Sequence, residues 1–198
     1  MEKRIADHLK SRDPQLIPLI EKYPKISLQP SRNYFIDLIN SIVGQQLSMK
    51  AGDTIWARFA ALFKGKPLNP QTVAQKTVEE LRTSGVSNSK AQYIKNVGDA
   101  FLHHHVTLEK FPDMADEQII EELVKIKGVG KWTAEMFCIF SLGREDIFSM
   151  GDLGLSNALI KMYGGKKPFT KTAIERITNK WSPYRSYASL LLWKSLEK

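Results

Sequence analysis

The sequence predicts an all-α protein. Apolar residues recur at helical spacing almost throughout, and few segments alternate with a period of two. Glycine, proline and capping residues fall between the periodic stretches, where helices must start and stop.

Ile5, Leu9, Leu16, Leu19 and Ile20 predict short N-terminal helices, broken by Pro14 and Pro18 or ended before Pro24. Residues 34–43 are apolar on most faces and read as a heavily buried helix ending near Gly44. Ser48 is expected to cap a helix carrying Ala51, Ile55, Trp56, Phe59 and Leu62. A loop at 65–70, rich in Pro, Gly and Asn, leads to a helix around 73–81. The turn at 85–89 precedes a helix with Ala91, Ile94, Val97 and Phe101. After Pro112, residues 115–126 and 131–142 form two helices joined by a tight turn. A loop at 143–151 ends in Gly151 and Asp152, and a helix over 153–162 stops at Gly164 and Gly165. The last helix begins near Pro183 and carries Tyr187, Leu190, Leu191 and Trp193.

The 198 residues suffice for one large or two small domains. With 29 Lys+Arg against 21 Asp+Glu the net charge is +8, which favours a polyanionic partner. Cys138 is the only cysteine, so no intramolecular disulfide, cysteine-rich zinc site or iron–sulfur cluster can form. Its apolar neighbours Met136, Phe137, Ile139 and Phe140 predict a buried, inert thiol. The start lacks an apolar signal core, and no stretch is long and apolar enough to span a bilayer. An intracellular, membrane-free protein is expected.

The segment joining the two helices after Pro112 is the most informative. Leu123 and Ile126 run into Lys127, Gly128, Val129, Gly130 and Lys131, and Trp132, Thr133 and Ala134 open the next helix. Glycine lets the backbone turn tightly and approach a partner closely. The amides that open a helix lack intrahelical partners and carry the positive end of its dipole, so they suit a phosphate. Lys127 and Lys131 flank the turn and add attraction to a phosphate backbone without reading sequence.

These residues resemble the helix–hairpin–helix of the DNA glycosylase superfamily. Residues 41–51 (Ser-Ile-Val-Gly-Gln-Gln-Leu-Ser-Met-Lys-Ala) look like its Gln-Gln-x-Ser segment, and 87–94 like its second glycine-turn segment. Trp181, Ser182, Pro183, Tyr184, Arg185, Ser186, Tyr187 and Ala188 are similar to the C-terminal signature of the 3-methyladenine DNA glycosylase II (AlkA-like) branch. The resemblance implies a compact, two-lobed form of that fold with its active-site cleft between the lobes. One lobe would be continuous over 33–143 and contain the helix–hairpin–helix at 115–142; the other would join 1–32 to 144–198 and carry the catalytic loop. It implies a monomer acting on double-stranded DNA containing alkylated bases, in the bacterial cytoplasm or a nucleus. No cofactor is implied, apart from a monovalent cation that such hairpins hold on carbonyls, here those of Ile126 and Val129.

Asp152, before Leu153, Gly154 and Leu155, would be the catalytic aspartate of this family. Taken without the resemblance, the same position reads as a helix N-cap, which does not exclude catalysis because a helix N-terminus keeps a carboxylate ionised. Ser149 departs from the pattern, since Phe-Pro often precedes this loop. In glycosylases that also cut the strand, a lysine stands where this chain has Trp132, so release without strand cleavage is expected. Lys131 is adjacent, but one helical step turns its side chain away by about 100°. Trp132 and Tyr184 match aromatic pocket positions, which suit a cationic alkylated purine, and Met136, one helical turn after Trp132, would add an adaptable apolar surface. Tyr187 and Trp193 read as core aromatics. Gln45, Gln46 or Leu47 would fill the gap that a flipped nucleotide leaves.

His103, His104 and His105 point about 100° apart on a helix and predict a solvated helix end, not a metal site. Lys90, Lys95, Lys161, Lys166, Lys167 and Lys171 read mostly as surface charges, some facing DNA. The alternatives are a non-enzymatic helix–hairpin–helix module and a glycosylase for oxidised or deaminated bases.

Overall fold

The computed structural model describes residues 1–31, 33–103, 111, 113–165 and 168–197. His104, His105, Pro112, Lys166 and Lys167 lie outside these. Among the described residues there are helices and no strand, as the periodicity requires. The chain divides into a composite unit, Met1–Pro30 with Cys138–Lys198, and a continuous unit, Ser31–Phe137.

The continuous unit holds α3 (Tyr34–Gly44), α4 (Met49–Ala61), α5 (Pro70–Ala74), α6 (Val78–Arg82), α7 (Asn88–Leu102), α8 (Asp116–Val124) and the first part of α9 (Lys131–Phe140). α3 buries Phe35, Leu38, Ile39, Ile42 and Val43, the spacing of one broad helical face. α7 is the hub and packs against α3, α5 and α6. Asn33, Ser48 and Ser87 cap α3, α4 and α7 by accepting the amides of Ile36, Ala51 and Lys90.

The single helix expected around 73–81 is two. Thr77 Oγ1 accepts the Glu80 amide at 3.0 Å while Glu80 Oε2 accepts the Thr77 amide at 2.7 Å. This capping box starts a new helix inside the apolar pattern. Lys95 closes the preceding one, donating from Nζ to the carbonyls of Ala74 at 2.7 Å and Lys76 at 2.8 Å. It is an internal cap rather than an ordinary surface charge.

The composite unit holds α1 (Lys3–Arg12), α2 (Ile17–Lys22), α10 (Leu153–Tyr163), α11 (Lys171–Thr178) and α12 (Arg185–Lys194), with 3-10 turns at Pro14–Leu16 and Asn179–Trp181. Its core joins Ile5, Leu9 and Leu16 to Leu155, Leu159, Trp181 and Leu191. Pro18 breaks nothing, because it lies in the first turn of α2, where a missing N–H costs no hydrogen bond. α11 is not anticipated by the sequence reading. Its signals are local and few: Thr170 accepts the Ala173 amide at 3.3 Å, and Ile174 and Ile177 supply its buried stripe. Asp13, 2% exposed, accepts Trp181 Nε1 at 2.8 Å and the Tyr163 hydroxyl, tying α1 to the C-terminal half of the unit.

Candidate functional site

In the continuous unit the hairpin is closed by its own backbone. The Ile126 amide donates to Leu123 O at 3.1 Å and the Val129 amide to Ile126 O at 2.9 Å. Val129 is the buried pivot, 4% exposed, while Lys127, Gly130 and Lys131 are exposed. Gly128 has φ +109°, and a Cβ built there would fall inside the Tyr93 side chain of α7, so both conformation and space demand glycine. Gly130 needs neither: its φ is not positive and a Cβ would meet nothing within 4 Å. It is the cap of α9, its carbonyl accepting the Ala134 amide at 3.0 Å, and it brings no side chain to accept the amides of that first turn. The carbonyl of Ile126, with one lone pair used by Val129, keeps a second. Uncharged carbonyl oxygens here fit a hard monovalent cation.

The turn after α3 is held against this hairpin. Gln45 Nε2 donates to Gly128 O at 3.4 Å and Thr133 Oγ1 at 3.2 Å, so that side chain is engaged within the protein. Gln46 and Leu47 are exposed. Gln46 adopts φ +58°, the left-handed region that a non-glycine residue enters only under constraint. Lys90, like Lys95, is not a plain surface charge. Its Nζ donates to Val43 O at 2.8 Å and Gln45 O at 2.7 Å, and burial pushes the amine below its usual range.

In the composite unit Asp152 is the cap of α10. Its Oδ1 accepts the Leu155 amide at 2.7 Å and Trp193 Nε1 at 3.0 Å. The N-cap reading of this residue holds on that oxygen: the Leu155 amide fixes the carboxylate and the indole N–H orients it. Trp193, assigned to the core from sequence, packs against the core of the composite unit and also brings its indole N–H to Asp152, a contact the sequence did not indicate. It is half-buried, stacks at a tilt on the exposed ring of Phe140 at 5.8 Å, and lines a cavity of about 730 Å³ with Tyr23, Ile26, Phe140 and Leu190.

The C-terminal signature acts as a clamp on the loop leading to Asp152. Arg185 grips Asp146 through Nε at 2.8 Å and Nη2 at 3.0 Å, and Ser182 Oγ donates to the same carboxylate at 2.7 Å. Burial works against that charge, but these hydrogen bonds outweigh it and hold the Asp146 carboxyl below the usual carboxylate range. Ser186 Oγ donates to Arg144 O at 2.6 Å and accepts the Ile147 amide at 2.9 Å. Ser149 is buried, and its carbonyl accepts the Asp152 amide at 3.2 Å, so the loop closes a turn without the Phe-Pro step.

The other predicted residues fall as follows. Trp132 is 43% exposed at the start of α9, whereas Met136 one turn on is buried. Tyr184 faces Arg4, His8 and Tyr187: Arg4 Nη1 donates to its hydroxyl at 2.9 Å, and its ring meets that of His8 edge-on at 5.1 Å. Cys138 is fully buried. His103 lies 3.2 Å from Asp99, and no cluster able to hold a metal ion occurs among the described residues. No described helix is long and apolar enough to cross a membrane.

Residues 39–183 match the model of the HhH-GPD superfamily base excision DNA repair proteins. The chain belongs to that superfamily. It is 33% identical over 97% of its length to the alkylbase DNA glycosidase-like protein mag2 of Schizosaccharomyces pombe, covering 92% of that protein. It is 31% identical to DNA-3-methyladenine glycosylase 1 of the same organism, over 91% of this chain and 80% of the relative. Among solved structures, a DNA-3-methyladenine glycosidase from Bacillus halodurans matches with a TM-score of 0.86 and 34% identity, over 98% of this chain and 89% of that one. The S. pombe glycosylase Mag1 in complex with abasic DNA matches with a TM-score of 0.85 and 28% identity, over 98% and 96%. The superfamily match spans both the hairpin and the Asp152 loop, the two parts that geometry marks out.

Proposed function

We propose that this chain is a monofunctional DNA glycosylase that excises alkylated bases, such as 3-methyladenine and 7-methylguanine, from double-stranded DNA in base excision repair. The observation that carries the reading is Asp152 Oδ1, held by the Leu155 amide and the Trp193 indole in a family of base excision proteins.

In this reading the α9 amides beyond Gly130 take a phosphate of the damaged strand, with Lys127 and Lys131 adding charge. A monovalent cation held by the carbonyls of Ile126 and Val129 would supply further positive charge beside that phosphate. The nucleotide is flipped at a cost of about a few kcal/mol. Gln45 is engaged with the hairpin, so the gap falls to the exposed Gln46, with Leu47 beside it. Alkylation leaves the base cationic, so stacking on indole rings stabilises it by about 1 kcal/mol or more per ring. Trp193 joins Trp132 as a candidate for that role, with Met136 and Tyr184 as supporting positions.

The Asp152 carboxylate stabilises the positive charge that develops on the sugar as the N-glycosidic bond breaks, and orients the attacking water. Water's oxygen bonds to C1′ and gives up a proton through the Asp152 carboxylate to solvent, while the electrons of the C1′–N bond leave with the cationic base, which departs neutral. Trp132 has no amine to form a Schiff base, so the product is an intact strand with an abasic site, and the protein acts as a monomer.

The test is incubation with methylated duplex DNA, with freed bases and strand breaks both measured. Release of 3-methyladenine and 7-methylguanine without strand breaks or borohydride-trapped adducts is expected. Binding without release would leave only a DNA-binding module, and a trapped adduct would make the enzyme a lyase.

A further inference from the structure

Three side chains of α7 reach the two loops already described. Lys90 Nζ donates to Val43 O and Gln45 O. Tyr93 lies under Gly128 so closely that a Cβ there would penetrate it. Asn96 Nδ2 donates to Lys127 O at 2.9 Å. Residues 90, 93 and 96 are three apart and share one side of the helix. α7 thus runs as a rail beneath both the 43–47 turn and the hairpin, and Gln45 Nε2 bridges the two.

We infer that Lys90 is a positioning residue for base extrusion, acting through Gln46. The inference rests on Gln46 as the residue that fills the gap. Two features show how Lys90 would act. Gln46 holds a left-handed backbone, φ +58°, which a non-glycine residue keeps only where its surroundings over-determine it. The carbonyl immediately before it, that of Gln45, is one of the two that the Lys90 ammonium grips. The other, Val43 O, belongs to the last turn of α3, so the ammonium anchors the exit of the helix and the start of the turn together. Without that charge the chain at 45–46 can relax toward ordinary backbone, and the Gln46 side chain is re-aimed. The hairpin retains its contacts to Tyr93 and Asn96, so its grip on phosphate persists.

The role predicts a split between binding and flipping. Lys90→Met keeps an unbranched, flexible side chain one atom shorter and removes both hydrogen bonds. Its affinity for undamaged duplex should stay within about twofold, while single-turnover base release falls about ten- to a hundredfold, the usual effect of misplacing a group by an ångström. The fluorescence rise of 2-aminopurine placed beside the lesion, which reports unstacking, should shrink in parallel. Lys90→Arg, which can still donate to both carbonyls, should recover much of the loss.

A double-mutant cycle with Gln46→Ala decides the matter. If Lys90 acts through Gln46, Lys90→Met slows release by less than about twofold in the Gln46→Ala background. Equal slowing in both backgrounds, or full speed for Lys90→Met alone while Gln46→Ala is slow, overturns the role of Lys90. Full speed and normal 2-aminopurine response for Gln46→Ala overturns the gap-filling assignment itself, and with it the inference.

Discussion

The continuous unit contains two helix–glycine–helix turns built alike up to their last residue. In the first, Gly85 at φ +99° is followed by Val86, 4% exposed; in the second, Gly128 at φ +109° is followed by Val129, also 4% exposed. Each glycine reverses the chain and each valine plugs the core beneath it. Then they part. Ser87 turns its hydroxyl onto the Lys90 amide at 3.2 Å and caps α7 from within the protein. Gly130 stands at the same place before α9 and has no side chain to offer. The one is a structural corner; at the other, in the proposed function, the first-turn amides of α9 take a DNA phosphate.

The sharpest way to break this comparison is at the glycines with positive φ. Gly128→Ala should destabilise the protein by about 3 kcal/mol or more, because the new Cβ collides with Tyr93 as well as straining the backbone. Gly85→Ala meets Ile55 at 3.7 Å and Arg58 at 3.9 Å, both ordinary contacts, and should cost about 1–2 kcal/mol, the backbone part alone. Denaturant midpoints of the two variants check the ranking, and equal losses would remove the Tyr93 contact from the explanation.

Gly130→Asp sharpens the functional half. It installs on α9 the kind of acceptor that Ser87 gives α7, so melting temperature should hold or rise. The carboxylate would also compete with a phosphate for the same amides, weakening duplex binding by about tenfold at fixed salt, measured by fluorescence anisotropy. Unchanged affinity would mean that this helix end does not face the DNA. The smallest effect belongs to the internal corner. Ser87→Ala should cost about 1 kcal/mol of stability with no change in DNA affinity at equal fraction folded.

Caps and turn glycines were legible in the sequence because their interactions are local: Ser48 and Asp152 bond amides three residues on. The all-helical fold follows from such signals taken in order, and the superfamily from the motifs that resemble it. Trp193 was not legible. It ends a run of Leu190, Leu191 and Leu192, where apolar residues cover several faces and periodicity selects none of them. Only folding brings its indole to Asp152, 41 residues away. Lys90 and Lys95 looked like solvated charges for a related reason, since the carbonyls they cap belong to other helices. Asp146 and Arg185 find each other 39 residues apart, with α10 and α11 between them in the chain. The sites of long-range polar pairing are where sequence patterns carry least.

The central claim is that Asp152 performs the chemistry as well as capping α10, and Asp152→Asn separates the two. Asparagine keeps an oxygen for the Leu155 amide and the Trp193 indole, so the fold and DNA binding should stand while the negative charge is gone. Single-turnover release of 3-methyladenine and 7-methylguanine from methylated duplex should then fall to background, with affinity for abasic-site DNA within about threefold of the unaltered protein. Release at a near-normal rate would contradict the account.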